Sequence, residues 1–302
     1  MQEGYTKKQI PYFVMAVFTV IVWGTTFVST KILLDYKLTP LSIFFYRFLL
    51  AYIIIWFFCP KRLWADTKKD EFFLFCAGLT GGSLYFVAEN TALDITLASN
   101  VSLIVSTAPL ITAFLSHLFV KGEKLKKTLI YGSLLALAGV AFVVYNGNFI
   151  LKLSPVGDIL SLTAAFMWGL YTILLKRLDA RYPILFITRK VFFYGIISLL
   201  PVFCFTPLTT DTAILFHPAV WGNILFLGFI ASMLCYILWN IAVKHLGAIR
   251  TTNYIYFMPI VTLATSAVII DEPITPIAML GAALILGGVY LAEKKKKIPS
   301  DS

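Results

Sequence analysis

"ENTALDITLASNVSLIVSTAPL", residues 89–110, lies over "WNIAVKHLGAIRTTNYIYFMPI", residues 239–260, without a gap. Asn90 falls on Asn240, Ala92 on Ala242, Ala98 on Ala248 and Pro109 on Pro259, all at a shift of 150 residues. At a shift of 149 the match continues with Glu123 on Glu272, Gly132 on Gly281 and Gly139 on Gly288. Upstream, "WGTTFVSTK" (23–31) and "WGLYTILLK" (168–176) share Trp-Gly followed by Lys at the same distance, and Arg47 and Arg189 each follow a proline by six or seven residues. One shared dipeptide is noise, but this many matches in order are an internal repeat. The chain divides into halves 1–147 and 148–302.

Composition then sets the solvent. The 302 residues are 59% hydrophobic and 13% charged, against about 25% charged in a soluble chain. About 20 apolar residues cross the hydrocarbon core. Ten such segments can be read, at 12–33, 40–59, 71–93, 97–119, 127–145, 156–176, 184–206, 219–243, 249–270 and 275–292. The expected fold is an all-α integral membrane protein with ten transmembrane helices. Each half holds five, an odd number, so the second half enters the bilayer from the opposite side. Two inverted five-helix repeats are an arrangement of secondary transporters, which enclose a site near the midplane. The first segment follows Lys7 and Lys8, yet it exceeds the 7–15 residue apolar core of a signal peptide and has a later copy, so it is read as a span.

The net charge of +10 does not point to nucleic acid. Outside the ten segments, every Lys and Arg except Lys31, Lys37 and Lys152 falls on one side. That asymmetry is the positive-inside rule. It predicts a multi-pass inner (plasma) membrane protein with both termini cytoplasmic. The terminal Lys294–Lys297 run needs only anionic headgroups. Cys59, Cys76, Cys204 and Cys235 form no CxxC pair and read as packing residues. The three histidines are scattered, so no metal or cofactor is expected.

Taken in order, the paired Trp-Gly motifs at Trp23 and Trp168, the mid-span prolines Pro109 and Pro259 and the glutamates after them resemble the drug/metabolite transporter superfamily, EamA type. The resemblance runs from about residue 12 to 293. It implies two halves around a central cavity that opens alternately to each side, and a substrate among amino acids or other small metabolites.

The prolines pose a local question, because proline removes a backbone donor and clashes with the preceding turn. Neighbouring helices can satisfy the freed carbonyl inside a membrane, so Pro109 and Pro259 read as bends in the cavity wall. Ser99, Ser102, Ser106, Pro109 and Ala113 recur at spacings of 3 and 4, a small-residue face suited to close helix approach. Thr252 and Tyr256 occupy the corresponding face of the other half.

Intramembrane ionisable groups are functional candidates by default. Glu89 and Arg47 lie at similar depth toward the outer side. They read either as a structural ion pair or as a proton-coupling or substrate-amine site. Arg189 and Lys190 sit near the cytoplasmic end of their span and read as anchors whose long stems reach the headgroups. Glu123 and Glu272 read as loop or cap residues. Aromatic residues make up 16% of the chain, and most are expected at the lipid or interface. Trp23, Tyr85, Trp168, Trp239 and Tyr256 instead fall in spans that line the cavity in the resembled family, with Asn90, Asn100, Asn240 and Asn253 as polar candidates. The glycine pairs of the fifth and tenth spans read as helix packing or a homodimer contact.

The leading function is export of amino acids or related metabolites by alternating access, with a small-molecule substrate and the bilayer as partners. No GxxxxGK[ST] loop is present to take ATP. A nucleotide-sugar or lipid-linked carrier would show more cavity-facing Lys and Arg. A membrane enzyme would show an HExxH or a carboxylate cluster, and saturable countertransport would exclude a receptor or scaffold.

Overall fold

The computed structural model describes residues 9–60, 64–96, 98–120, 127–145, 154–269 and 275–293, with no strand among them. Twelve helices carry the argument: α1 (Ile10–Asp35), α2 (Pro40–Phe58), α3 (Lys68–Ile95), α4 (Ala98–Val105), α5 (Ala108–Phe119), α6 (Lys127–Tyr145), α7 (Pro155–Leu178), α8 (Ile184–Leu199), α9 (Pro218–Leu246), α10 (Ala248–Thr252), α11 (Met258–Ile269) and α12 (Pro276–Glu293). Among the described residues six helical segments are long and apolar enough to cross a membrane: α1, α2, α3, α7, α8 with its 3₁₀ extension to Cys204, and α9. Ala108–Phe119, Lys127–Phe142 and Met279–Ala292 are shorter apolar helices.

Local chemistry sets the helix ends. Thr39 caps α2 by accepting the Ser42 N–H at 3.2 Å, with Pro40 in the first turn where no donor is needed. Thr67 does the same for α3, accepting from the Asp70 N–H at 3.1 Å. Lys37 ends α1 in the left-handed region (φ 67), letting the Leu38 N–H return to the Leu33 carbonyl at 3.1 Å.

Four interruptions give the bundle its shape, and they come in two matched pairs. α3 carries a π-helical stretch at Leu79–Ser83, kinked at Gly82 (φ −128, ψ −105). α9 carries another at Phe226–Leu234, which covers the same positions shifted by 150 residues. The second pair sits ahead of the prolines. Residues 106–107 form a turn between α4 and α5, so Pro109 occupies the first turn of α5. A 3₁₀ turn at Asn253–Phe257 separates α10 from α11, ahead of Pro259.

Each π stretch exposes carbonyls that must find donors in a dry environment, and the donors come from across the molecule. The Tyr236 hydroxyl of α9 donates to the Gly81 carbonyl in the α3 bulge. The Trp23 indole of α1 donates to the Ala231 carbonyl in the α9 bulge at 2.9 Å. Each interruption is thereby tied to the other half.

α6 and α12 pack backbone to backbone. A Cβ built on Gly132 would lie 2.4 Å from the Ala292 nitrogen, and one on Gly288 would lie 2.5 Å from the Ala136 nitrogen. Gly139 meets the Gly281 carbonyl at 2.6 Å in the same way. The contacts 132–288 and 139–281 exchange under the repeat, so the pair has the symmetry of the duplication. The glycines pack helix against helix within one chain, as the packing reading has it. Phe44, Phe48, Phe86, Phe186 and Phe192 are buried, while Phe18, Phe57, Phe58, Phe72, Phe114 and Phe119 are among the exposed rings, so the aromatics divide between the core and the outer surface. Cys204, read as packing, is exposed.

The halves are tied at both ends. At the end where α3 begins, Arg181 reaches Asp70 at 3.0 Å and the Tyr182 hydroxyl donates to the same carboxylate at 2.9 Å. Burial pushes the Tyr182 phenol above its ordinary value, which keeps it a donor. Beside them, Glu71 takes Lys190 and Tyr194, both from α8. At the other end the ties are neutral: the Tyr46 hydroxyl donates to the Thr209 carbonyl at 2.6 Å, and Ser29 to the Asn223 side chain at 2.6 Å. Glu123 and Glu272 lie outside the described residues.

Candidate functional site

The π stretches lie one turn ahead of the residues that matter. Beyond the α3 bulge come Tyr85, Phe86 and Glu89, and beyond the α9 bulge comes Tyr236. π stretches inside helices often mark functional sites. Here these side chains line a cavity between the two halves. Its wall includes Trp23 and Thr26 from α1, Arg47 from α2, Val105 from α4, Ala108 from α5, Trp168 from α7, Ile255 within the second proline break and Met258 just after it.

The rings form a continuous lining. Trp23 and Trp168 meet edge to face at 5.1 Å, Tyr85 lies 5.2 Å from Trp168, and Trp23 lies 6.0 Å from Tyr236. Such arrangements place ring edges against faces, as the aromatic quadrupole favours. The Trp168 indole N–H is buried with no hydrogen-bond partner among the described residues, so it is a donor beside the cavity.

Two ionisable groups enter this apolar box. Arg47 is 2% exposed, donates from Nε to the Ser232 hydroxyl at 2.9 Å and holds its guanidinium carbon 4.2 Å from the centre of the Phe86 ring. Glu89 is 8% exposed and accepts from the Tyr85 hydroxyl at 2.7 Å. The expected Arg47–Glu89 ion pair is absent: no contact within 4.0 Å joins them among the described salt bridges. The reason is local, since each has a neutral partner on its own side of the cavity. A cation and a carboxylate face one space, each with unused hydrogen-bonding capacity.

The other sequence candidates go elsewhere. Trp239 is fully buried behind Trp23, at 5.0 Å, and does not reach the cavity. Asn90 and Asn240 are struts: the Asn90 amide donates to the Pro40 carbonyl at 3.2 Å, and Asn240 joins the Thr188 and Tyr171 hydroxyls at 2.9 and 3.0 Å. In each half the repeated asparagine ties the third span to the second. Asn253 is buried at the proline break, away from the cavity wall. Tyr256 packs with Ala136, Val140, Ile285 and Val289 between α6 and α12. The Asn100 side chain lies outside the described residues. Ser102, Ser106 and Ala113 are buried, with the Ser106 hydroxyl bonded back to the Ser102 carbonyl at 2.7 Å. Pro109 and Pro259 sit behind Ala108 and Met258, which line the cavity. Arg189 and Lys190 are corrected as well. Both are buried, 1% and 3% exposed, because the Cys59 carbonyl and Glu71 hold them within the protein.

The residues that sequence reasoning missed include Tyr236, Phe86 and Thr26. A signal existed for two of them, since Phe86 and Tyr236 are equivalent at the 150-residue shift.

The EamA-like transporter family profile matches residues 10–145 and 155–293, once per half. The chain is 30% identical to the uncharacterized transporter YyaM of Bacillus subtilis (strain 168), over 97% of this chain and 96% of that one. It is 26% identical to a probable amino-acid metabolite efflux pump of Escherichia coli (strain K12), over 92% and 93%. A solved crystal structure shares the fold with a TM-score of 0.71 at 18% identity, covering 93% of this chain and 96% of that one.

Proposed function

The chain belongs to the EamA-like transporter family, and from that premise we propose that it is a secondary transporter exporting amino acids or closely related metabolites. One observation carries the substrate class. Arg47 and Glu89 are both buried, line one aromatic cavity from different helices and make no direct ion pair. A zwitterion completes both: its carboxylate suits the planar Arg47 fork, and its ammonium suits Glu89. The rings of Trp23, Tyr85, Trp168 and Tyr236 favour an apolar or aromatic side chain. The E. coli relative's name points to the same class. A nucleotide-sugar carrier is less well served, because Arg47 is the only cationic side chain among the described cavity residues.

The transport cycle belongs to the same reading. Ten crossings place the basic loops and both termini in the cytoplasm, and the two halves rock about the cavity. The proline breaks beside Ala108 and Met258 serve as the bends of opposite gates. Glu89 exchanges a proton for the substrate ammonium, which couples export to the proton gradient.

Proteoliposomes loaded with labelled amino acids test this. Saturable, countertransported flux is expected, strongest for apolar and aromatic amino acids and lost in Arg47→Gln. Glu89→Gln should lose its response to a pH gradient. Flux of nucleotide sugars with none of amino acids would overturn the substrate assignment. Full gradient-driven transport by Glu89→Gln would end the coupling role.

A further inference from the structure

A second cavity lies outside the central one, at the end of the bundle where α3 begins. It is lined by Tyr52 and Trp56 of α2, Trp64, and Arg189, Lys190 and Phe193 of α8. The two cations there are not equivalent. Lys190 is paired with Glu71 and lies 4.4 Å from the Trp64 ring centre. Glu71 is engaged, with one oxygen taking Lys190 and Tyr194 and the other the Ala65 N–H at 2.7 Å. Arg189 donates from Nη1 to the Cys59 carbonyl and stacks 5.0 Å over the Trp56 ring, with no carboxylate within 4.0 Å among the described residues. A guanidinium has five N–H donors and stays charged. A buried charge without a counter-ion is costly. Among the described residues the cavity therefore carries a net positive charge without a matching anion.

Position narrows the ligand. Trp64 is 64% exposed, and Phe57 and Phe58 beside it are 77% and 66% exposed. Trp and Tyr gather at the membrane–water boundary, at headgroup depth. Basic pockets between membrane helices at this level take lipid headgroups. We propose that Arg189, walled by Trp56, Trp64 and Tyr52, is a binding site for a phosphate anion, supplied by the headgroup of an anionic phospholipid. The ligand sits where α8 of the second half meets α2 of the first, next to the Glu71–Lys190 pair, so it bridges the halves. This site is separate from the central cavity and stands whatever the transported substrate is.

The test uses the full chain in detergent, with thermal unfolding followed during titration with phosphatidylglycerol, phosphatidylcholine or inorganic phosphate. Phosphatidylglycerol should raise the unfolding temperature saturably and phosphatidylcholine should not. Arg189→Gln should weaken the phosphatidylglycerol response at least tenfold. Trp64→Leu, which alters an exposed ring, should weaken it severalfold and keeps the test valid if Arg189→Gln folds poorly. Arg181→Gln, an ion-pair variant at the same end but outside the cavity, should leave it unchanged. If inorganic phosphate alone gives an Arg189-dependent rise, the free anion is the source. If only phosphatidylglycerol does, the lipid is. An equal response to phosphatidylglycerol in wild type, Arg189→Gln and Trp64→Leu would overturn the site, as would an equal response to phosphatidylcholine.

Discussion

Gly287 and Gly288 are neighbours in α12 with opposite surroundings, which makes alanine at each a matched experiment. A Cβ on Gly288 would sit 2.5 Å from the Ala136 nitrogen, 2.6 Å from the Gly132 carbonyl oxygen and 2.8 Å from the Ala136 Cα. All three are backbone atoms of α6, so no side chain can turn aside. Carbon contacts are comfortable near about 3.5–4.0 Å, so α6 and α12 must part by roughly 1 Å. Overpacking of this kind costs about 1–3 kcal/mol, and a rigid backbone neighbour puts Gly288→Ala at the upper end. On Gly287 the nearest atom is the Leu135 Cδ2 at 3.9 Å, an ordinary contact. Gly287→Ala then gains the helix propensity of alanine, worth about 0.8–1 kcal/mol in a helix interior. Gly288→Ala gains the same propensity, so the two variants should differ by the overpacking cost alone, about 1–3 kcal/mol, with Gly287→Ala the more stable. Thermal unfolding in detergent, read as loss of the monodisperse chromatographic peak, measures the order. A Gly288→Ala protein that melts with the wild type would refute the reasoning. So would a change in oligomeric state without loss of stability, because the glycine face would then meet another chain.

Tyr236→Phe leaves the Gly81 carbonyl of the α3 bulge unsatisfied and should cost about 1–3 kcal/mol, measured by the same melt. Phe86→Tyr at the equivalent position should give no matching gain, since no bulge carbonyl is bonded from Phe86. The two ties between α3 and the second half should respond unequally. Lys190→Met breaks a buried, charge-assisted bond and should lose about 1.5–3 kcal/mol. Arg181→Met removes a partner whose side chain is 62% exposed, and water screening leaves a smaller loss in chemical denaturation. Pro109→Ala and Pro259→Ala restore a backbone donor at each break and should shift the cavity's accessibility in opposite senses. Cysteine labelling from the two sides of the membrane reads that shift, and unchanged accessibility in both variants would reduce the prolines to packing.

Much of this molecule is written locally. Apolar segments about as long as a bilayer is thick, and the imbalance of Lys and Arg between loops, are properties of short windows. The repeat is legible because both halves kept Trp-Gly, Asn, Pro and Gly at matched distances. The helix breaks beside Pro109 and Pro259 follow from a missing N–H, which needs no tertiary knowledge. Arg47 and Glu89 stood out because ionisable groups are rare in apolar spans, and both line the central cavity.

What the sequence left open was direction. An α-helix turns about 100° per residue, so a face drawn on a straight helix holds only while the helix is regular. The π stretches at Leu79–Ser83 and Phe226–Leu234 add to the turn and swing everything beyond them. Beyond the second stretch Tyr236 lines the cavity, while Trp239 and Asn240, one turn further on, do not. The bulges exist because carbonyls freed in one half find donors in the other, Gly81 with Tyr236 and Ala231 with Trp23. Those pairs are 155 and 208 residues apart in the chain. Only tertiary structure decided them, and with them which polar groups meet a substrate and which hold the helices together.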